Sequence, residues 1–277
     1  MNKGIYRRSL LALAMLAVVP AHAADPFAVP PFPSDYTALK CDVYEQGREQ
    51  VQQQLDARRE ANQNKADAAG PKMQAEMQAA MQSGNYAAIQ QYSEMGQGQL
   101  NLGESDADCI ALGSSNSSSG TSQAIAPPYQ AASASFKAKV SGATPGDTSA
   151  FQAASPAYLA ELNQAVAKTR ATAQRCSAGY NKRYTAHVSK LKGSMRDMIA
   201  AQADAEVTKL QYAEQLWQDA YNICGRVQPE LSMAATGGSR SYSGRPRVPG
   251  VAGVVDSAKD SAVGKAVDKA FGSLFGR

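Results

Sequence analysis

Between Pro156 and Cys224, apolar or small residues recur in steps of three and four: Leu159, Leu162, Val166, Ala173, Cys176, Tyr180, Tyr184, Val188, Leu191, Met195 and Met198, then Val207, Leu210, Trp217, Tyr221 and Cys224. That is the period of an α-helix with one buried stripe. Ser155 and Pro156 suit a cap and a first helical turn, Gly225 suits the end, and Pro229 lies beyond it. The pattern predicts one helix over 156–224, about 100 Å long at 1.5 Å per residue. Such a rod needs a partner along its length. Gly179 and Gly193 are its weak points, each costing about 1 kcal/mol against alanine, and a bend at Gly193 is the chief threat to it.

The partner is expected in the N-terminal half. Pro26, Pro30, Pro31 and Pro33 make 24–34 an extended, unfolded lead-in. Ser34 or Asp35 can cap a helix carrying a thin stripe of Tyr36, Leu39, Val43, Val51 and Leu55. Gly70-Pro71 is expected to break it, leaving a second piece with Met73, Met77, Ala80 and Met81. After Ser83-Gly84-Asn85 a short helix is expected from Tyr86 to Met95, then a loop, then a short segment, Glu104 to Leu112, carrying Cys109. Residues 113–154, rich in Ser, Gly, Ala and Pro, read as a loop, and 226–250 as a basic linker with Arg240, Arg245 and Arg247 around Tyr242. The last stretch, 251–277, predicts an amphipathic helix. The expected fold is all-α: an elongated, coiled-coil-like antiparallel hairpin of the long helix and a broken N-terminal leg of residues 35–112.

Compartment changes how the cysteines are read. Lys3, Arg7 and Arg8 precede an apolar run from Leu10 to Val19 and a small-x-small site at Ala21-His22-Ala23, the pattern of an export signal cleaved after Ala23. The run is too short to span a bilayer, no later segment is apolar enough, and no cysteine follows the site to carry a lipid. A periplasmic or secreted location is expected. There, Cys41, Cys109, Cys176 and Cys224 most simply make two disulfides, for which sequence leaves three connectivities open. Antiparallel legs favour the nested one, Cys41 with Cys224 and Cys109 with Cys176. Along an unbroken helix Cys176 and Cys224 would lie about 72 Å apart, whereas bridged Cα atoms lie within about 7 Å.

Charge and chemistry then narrow the function. Without residues 1–23 the chain is nearly neutral, but residues 24–111 hold 13 acidic and 6 basic residues and residues 112–277 hold 11 and 19. The two halves can attract each other, the plainer alternative to an acidic external partner. His187 is the one histidine after Ala23, and no zinc, nucleophile-elbow, phosphate-loop or CxxC pattern occurs. Glu104, Asp106 and Asp108 lack the glycine and later glutamate of a calcium loop and read as a solvated acidic turn. No cofactor, metal, small-molecule substrate or nucleic acid is implied, and no catalytic residue.

Tyr180, Tyr184, Tyr212, Trp217 and Tyr221 fall at nearby angles on the long helix, as seam residues or as an aromatic strip that grips a partner. Val263, Val267, Phe271 and Leu274 form the apolar face of the tail. That face can pack back, self-associate, meet a protein partner or lie on a membrane surface, although Asp256, Asp260 and Asp268 oppose anionic lipid. The expectation is an exported, non-catalytic binding or structural protein of an envelope or secretion assembly. The alternatives are a periplasmic holdase and a secreted membrane-active, toxin-like protein using residues 251–277.

Overall fold

The computed structural model describes residues 25–90, 92, 102, 104–116, 119–141 and 148–235. The predicted leader, most of the predicted basic linker and the predicted tail helix with Val263, Val267, Phe271 and Leu274 lie outside them. Among the described residues the fold is all-helical, with no strand. A 3-10 turn, Tyr36–Ala38, precedes α1 (Asp42–Gln82). Then come α2 (Ala107–Gly113), α3 (Ala126–Val140), α4 (Ser149–Val188), α5 (Gly193–Gln202) and α6 (Ala205–Ala235). No helix among them is long and apolar enough to cross a membrane.

The predicted single helix over 156–224 is not formed. It starts earlier, at Ser149, runs through Pro156, stops at Val188, and resumes as α5 and α6. Lys192 is extended and Gly193 has φ +58°, a left-handed conformation that glycine adopts without a Cβ clash. The second interruption is capped by Asp204, whose Oδ1 accepts from the Glu206 N–H at 3.0 Å. The chain therefore folds back on itself: the Tyr180 hydroxyl donates to the Ala203 carbonyl, and the Tyr158 hydroxyl to Glu230. This register leaves Cys176 and Cys224 far apart along the bundle even though the helix has reversed.

The helix α1 lies antiparallel to α5 and α6 together. Arg48 bonds Gln218, Asn62 bonds Asp204, and the Ser194 hydroxyl donates to Glu76. Thus α6 is covered on one side by α1 and on another by α4, burying Leu210, Ala213, Leu216, Ala220, Ile223, Val227 and Leu231. Cys41 is bonded to Cys224 and Cys109 to Cys176, with Cα atoms 5.6 and 5.7 Å apart, the nested connectivity.

Four other expectations are corrected. Gly70-Pro71 does not break α1. Packing on α5, with Met198 Cε 3.4 Å from where a Gly70 Cβ would stand, outweighs the loss of one helical bond at the exposed Asp67. The predicted loop of residues 113–154 contains α3, whose Tyr129, Ala132, Ser133 and Phe136 are buried at helical spacing, with its prolines in the first turn where they fit. Gly225 and Pro229 do not end α6, so the predicted linker is helical as far as Ala235. Finally, the proline-rich lead-in is extended but packed: Phe27, Val29 and Phe32 are each at most 4% exposed.

This strap, Asp25 to Phe32, lies between α1 and α4. The Asn163 side-chain amide clamps the Phe32 main chain from both sides, donating to its carbonyl (2.9 Å) and accepting from its N–H (2.7 Å). Arg170 donates to the Val29 carbonyl, and the Trp217 indole N–H to that of Pro26 at 2.9 Å. The Phe32 ring meets Tyr44 of α1. Around the Cys41–Cys224 end the core is aromatic, with Phe136 stacked on Tyr158 and Tyr36 edge-on to Phe151. At the other end a small cluster of Ala66, Ala69, Met198 and Ala201, with Met73 against it, replaces it.

Candidate functional site

Beyond the strap, the groove between α1 and α4 continues as an open cleft of about 660 Å³. Its near end is formed by Asp25 and Phe27, where Ala28 N–H donates to the Asp25 carbonyl and turns the strap aside. One wall is α4, presenting Gln174, Ser177, Asn181 and Tyr184. Opposite stand Arg58 of α1 and the start of α6, with Glu206 and Lys209. Asp204 lies at the junction, where Arg58 and Asn62 both donate to its Oδ2. Burial pushes its carboxyl up, but those donors and the Glu206 N–H outweigh burial and hold it below the ordinary range. Lys209 bonds Glu206 at 2.9 Å. Four of the cleft's charges are therefore already paired, Arg58 with Asp204 and Lys209 with Glu206.

The other charged groups hold helices together. Arg175 reaches Asp106 and Asp108 at 3.0 and 2.8 Å, and Arg183 reaches Glu104 at 2.9 Å. The acidic turn is thus tied to α4 by both guanidiniums while Asp108 stays exposed to solvent. Burial raises the Glu104 carboxyl, yet the Asp106 N–H and Arg183 together hold it low. Glu230 accepts from Lys137, Tyr158 and Ser133. His187 is half-buried near the end of α4, and no described group bonds its Nε2.

The predicted aromatic strip is distributed through the seams. Tyr180 and Tyr184 donate to carbonyls of Ala203 and Ala200, Tyr221 lies under Arg48, and Tyr212 packs against the main core. Trp217 lies so close to α1 that a Cβ on Gly47 would be 2.2 Å from its ring. All five are half-buried, and none of these contacts leaves a continuous exposed aromatic face. The exposed large apolar side chains include Met81 (43%) and Tyr86 (82%), gathered at the far end of α1 beside half-buried Met77 and Ile89. The stripe Met73, Met77, Met81 carried that signal in the sequence.

Asp219 is the group sequence reasoning missed. It is fully buried on α6, without a cation, and accepts from the Ser122 N–H (2.7 Å) and hydroxyl (2.6 Å) and from Gln215 (2.9 Å), tying the chain before α3 to the core. Burial pushes its carboxyl up to about 6. A raised carboxyl means that the folded state holds the proton more tightly, so this group's stabilisation is full below about pH 4 and is lost as pH rises through about 6. Asp219→Asn can keep all three contacts, its NH2 donating to the Ser122 hydroxyl. The variant is expected to be more stable than the parent by about 2 kcal/mol at pH 7.5, with the gap closing as pH falls from about 6 to about 4 in urea titrations.

Against protein-family models, curated proteins and solved structures, this chain has no match.

Proposed function

We propose that the protein is an exported, non-catalytic binding component of a bacterial envelope or secretion assembly, acting through helical surfaces. The observation that carries this reading is how the carboxylates are used. Glu104, Asp106, Asp108, Asp204, Asp219 and Glu230 all bond side chains or main chain of other segments, so these six carboxylates are engaged in clamping helices. Two disulfides across one small body suit an oxidising compartment outside the cytoplasm. An apolar tip of Met77, Met81, Tyr86 and Ile89 supplies a place for a protein partner, with methionines able to adapt to it.

Photo-crosslinking tests this in the native envelope. A benzophenone side chain at Met81 or Tyr86 is expected to give one adduct of defined mass, and the same group at exposed Lys139 on α3 none. Equal labelling at all three positions, or recovery of the protein from the cytoplasm, would reject the reading.

A further inference from the structure

The strap shows what the groove between α1 and α4 is built to hold. It is an extended chain whose Phe27, Val29 and Phe32 side chains are buried in the core and whose backbone is gripped at three points: Asn163 at the Phe32 main chain, Arg170 at the Val29 carbonyl and Trp217 at the Pro26 carbonyl. The three steps of the strap from Val29 to Phe32 advance about 10 Å. The seven residues of α4 from Asn163 to Arg170 rise about 10.5 Å. Helix and strap thus keep step between these two contacts, so that Asn163 and Arg170, two turns apart on one stripe down α4, meet backbone groups three residues apart on the strap.

That stripe does not end with the strap. Gln174 and Ser177 lie close to the same helical angle as Asn163 and Arg170, and Asn181 falls 18 residues beyond Asn163, which is five turns at 3.6 residues each. Asn181 therefore faces the groove as Asn163 does. The strap is diverted at its Asp25–Ala28 turn, and this part of the stripe lines the open cleft instead. Gln174 and Asn181 are exposed and bond no side chain or main chain among the described residues. Each amide carries a donor and an acceptor, the pair that Asn163 uses to hold a peptide unit.

We propose that the cleft binds an extended segment of a partner polypeptide, continuing the strap's path and held at its backbone by Gln174 and Asn181. From Gln174 to Tyr184 the wall measures about 15 Å, room for four or five extended residues. The facing charges, Arg58 with Asp204 and Lys209 with Glu206, are internally paired. They cancel within each pair and leave the Asp25 carboxylate at the near end as the unbalanced charge of the lining, so recognition rests chiefly on backbone and tolerates many sequences, as in strand-addition modes of peptide capture. This keeps the binding role proposed above and adds the class of partner.

The test uses the chain from Ala24, both disulfides formed, and fluorescein-labelled, reduced and carboxymethylated lactalbumin, a polypeptide that stays unfolded. Anisotropy is expected to show saturable binding, and the side-chain NH2 resonances of Gln174 and Asn181 should shift on titration. Gln174→Ala and Asn181→Ala should each weaken binding by about fivefold to tenfold, and the double variant by more. Both sites are exposed and unbonded, so the variants should keep the parent's helical signal and urea midpoint. No binding, or binding that the double variant leaves unchanged, overturns the assignment. If the Met81 and Tyr86 adducts persist in that case, the wider binding role survives without this cleft; if they vanish too, both readings fall.

Discussion

Trp217→Ala is expected to destabilise the protein by about 3–4 kcal/mol and to free the strap. The indole does three things from one position. Its ring fills the space against Gly47 of α1, its N–H holds the Pro26 carbonyl, and its backbone belongs to α6. Truncation opens a cavity between two helices and removes the bond nearest the strap's first turn. Chymotrypsin should then cut after Phe27 before any site in α4 or α6, and urea titration should show the lost stability. Gly47 gives the cross-check. A methyl group there would stand 2.2 Å from the indole, so Gly47→Ala should cost about 2 kcal/mol in the parent through overpacking, despite alanine's better helix propensity. In the Trp217→Ala background the clash is gone, and the same substitution should stabilise by about 1 kcal/mol. A penalty that kept its sign in both backgrounds would show that the indole is not what requires glycine.

At Gly47, as elsewhere in the chain, packing against a neighbouring helix overrides local propensity. Helical class and the core stripe of α4 and α6 follow from three- and four-residue spacing, and Gly193 was visible as the weak point. What could not be read was the outcome of competition at such points. One residue in a left-handed turn at Gly193 and a capping Asp204 convert a rod into a reversed pair, whereas Gly70-Pro71, a stronger local breaker, is overridden because α5 packs across it. Local propensity gives the cost of a break, and tertiary packing decides whether it is incurred. The strap and α3 were hidden by composition: Phe27, Val29 and Phe32 sit among prolines, and Tyr129 and Phe136 among serines and alanines. In both, the aromatic and branched residues were the informative ones. The cleft was legible only in part. Gln174 and Asn181 look like ordinary surface until the clamp at Asn163 shows what that stripe does.

Loss of the Cys41–Cys224 bridge through paired serine substitutions should be the most damaging covalent change, by about 4–5 kcal/mol, against about 4 kcal/mol for Cys109–Cys176. The chain-entropy estimate grows with the loop closed, and the separations are 183 and 67 residues. Position adds to length. Cys41 immediately precedes α1 and Cys224 lies on α6 where Ile223 and Val227 are fully buried, so the outer bridge joins the turn of the strap to the core helix. Without it, the strap and the first turns of α1 depend on Asn163, Arg170, Trp217 and the Phe32–Tyr44 contact alone. Hydrogen exchange should therefore quicken first at Phe32 and in α1 up to about Val51, while α2 and the middle of α4 stay protected by the inner bridge. Removing Cys109–Cys176 should invert that pattern, loosening α2 and leaving the strap closed. If both variants lost protection uniformly, the bridges would be acting on the unfolded chain alone, and the outer one would not be the pin that keeps the groove formed.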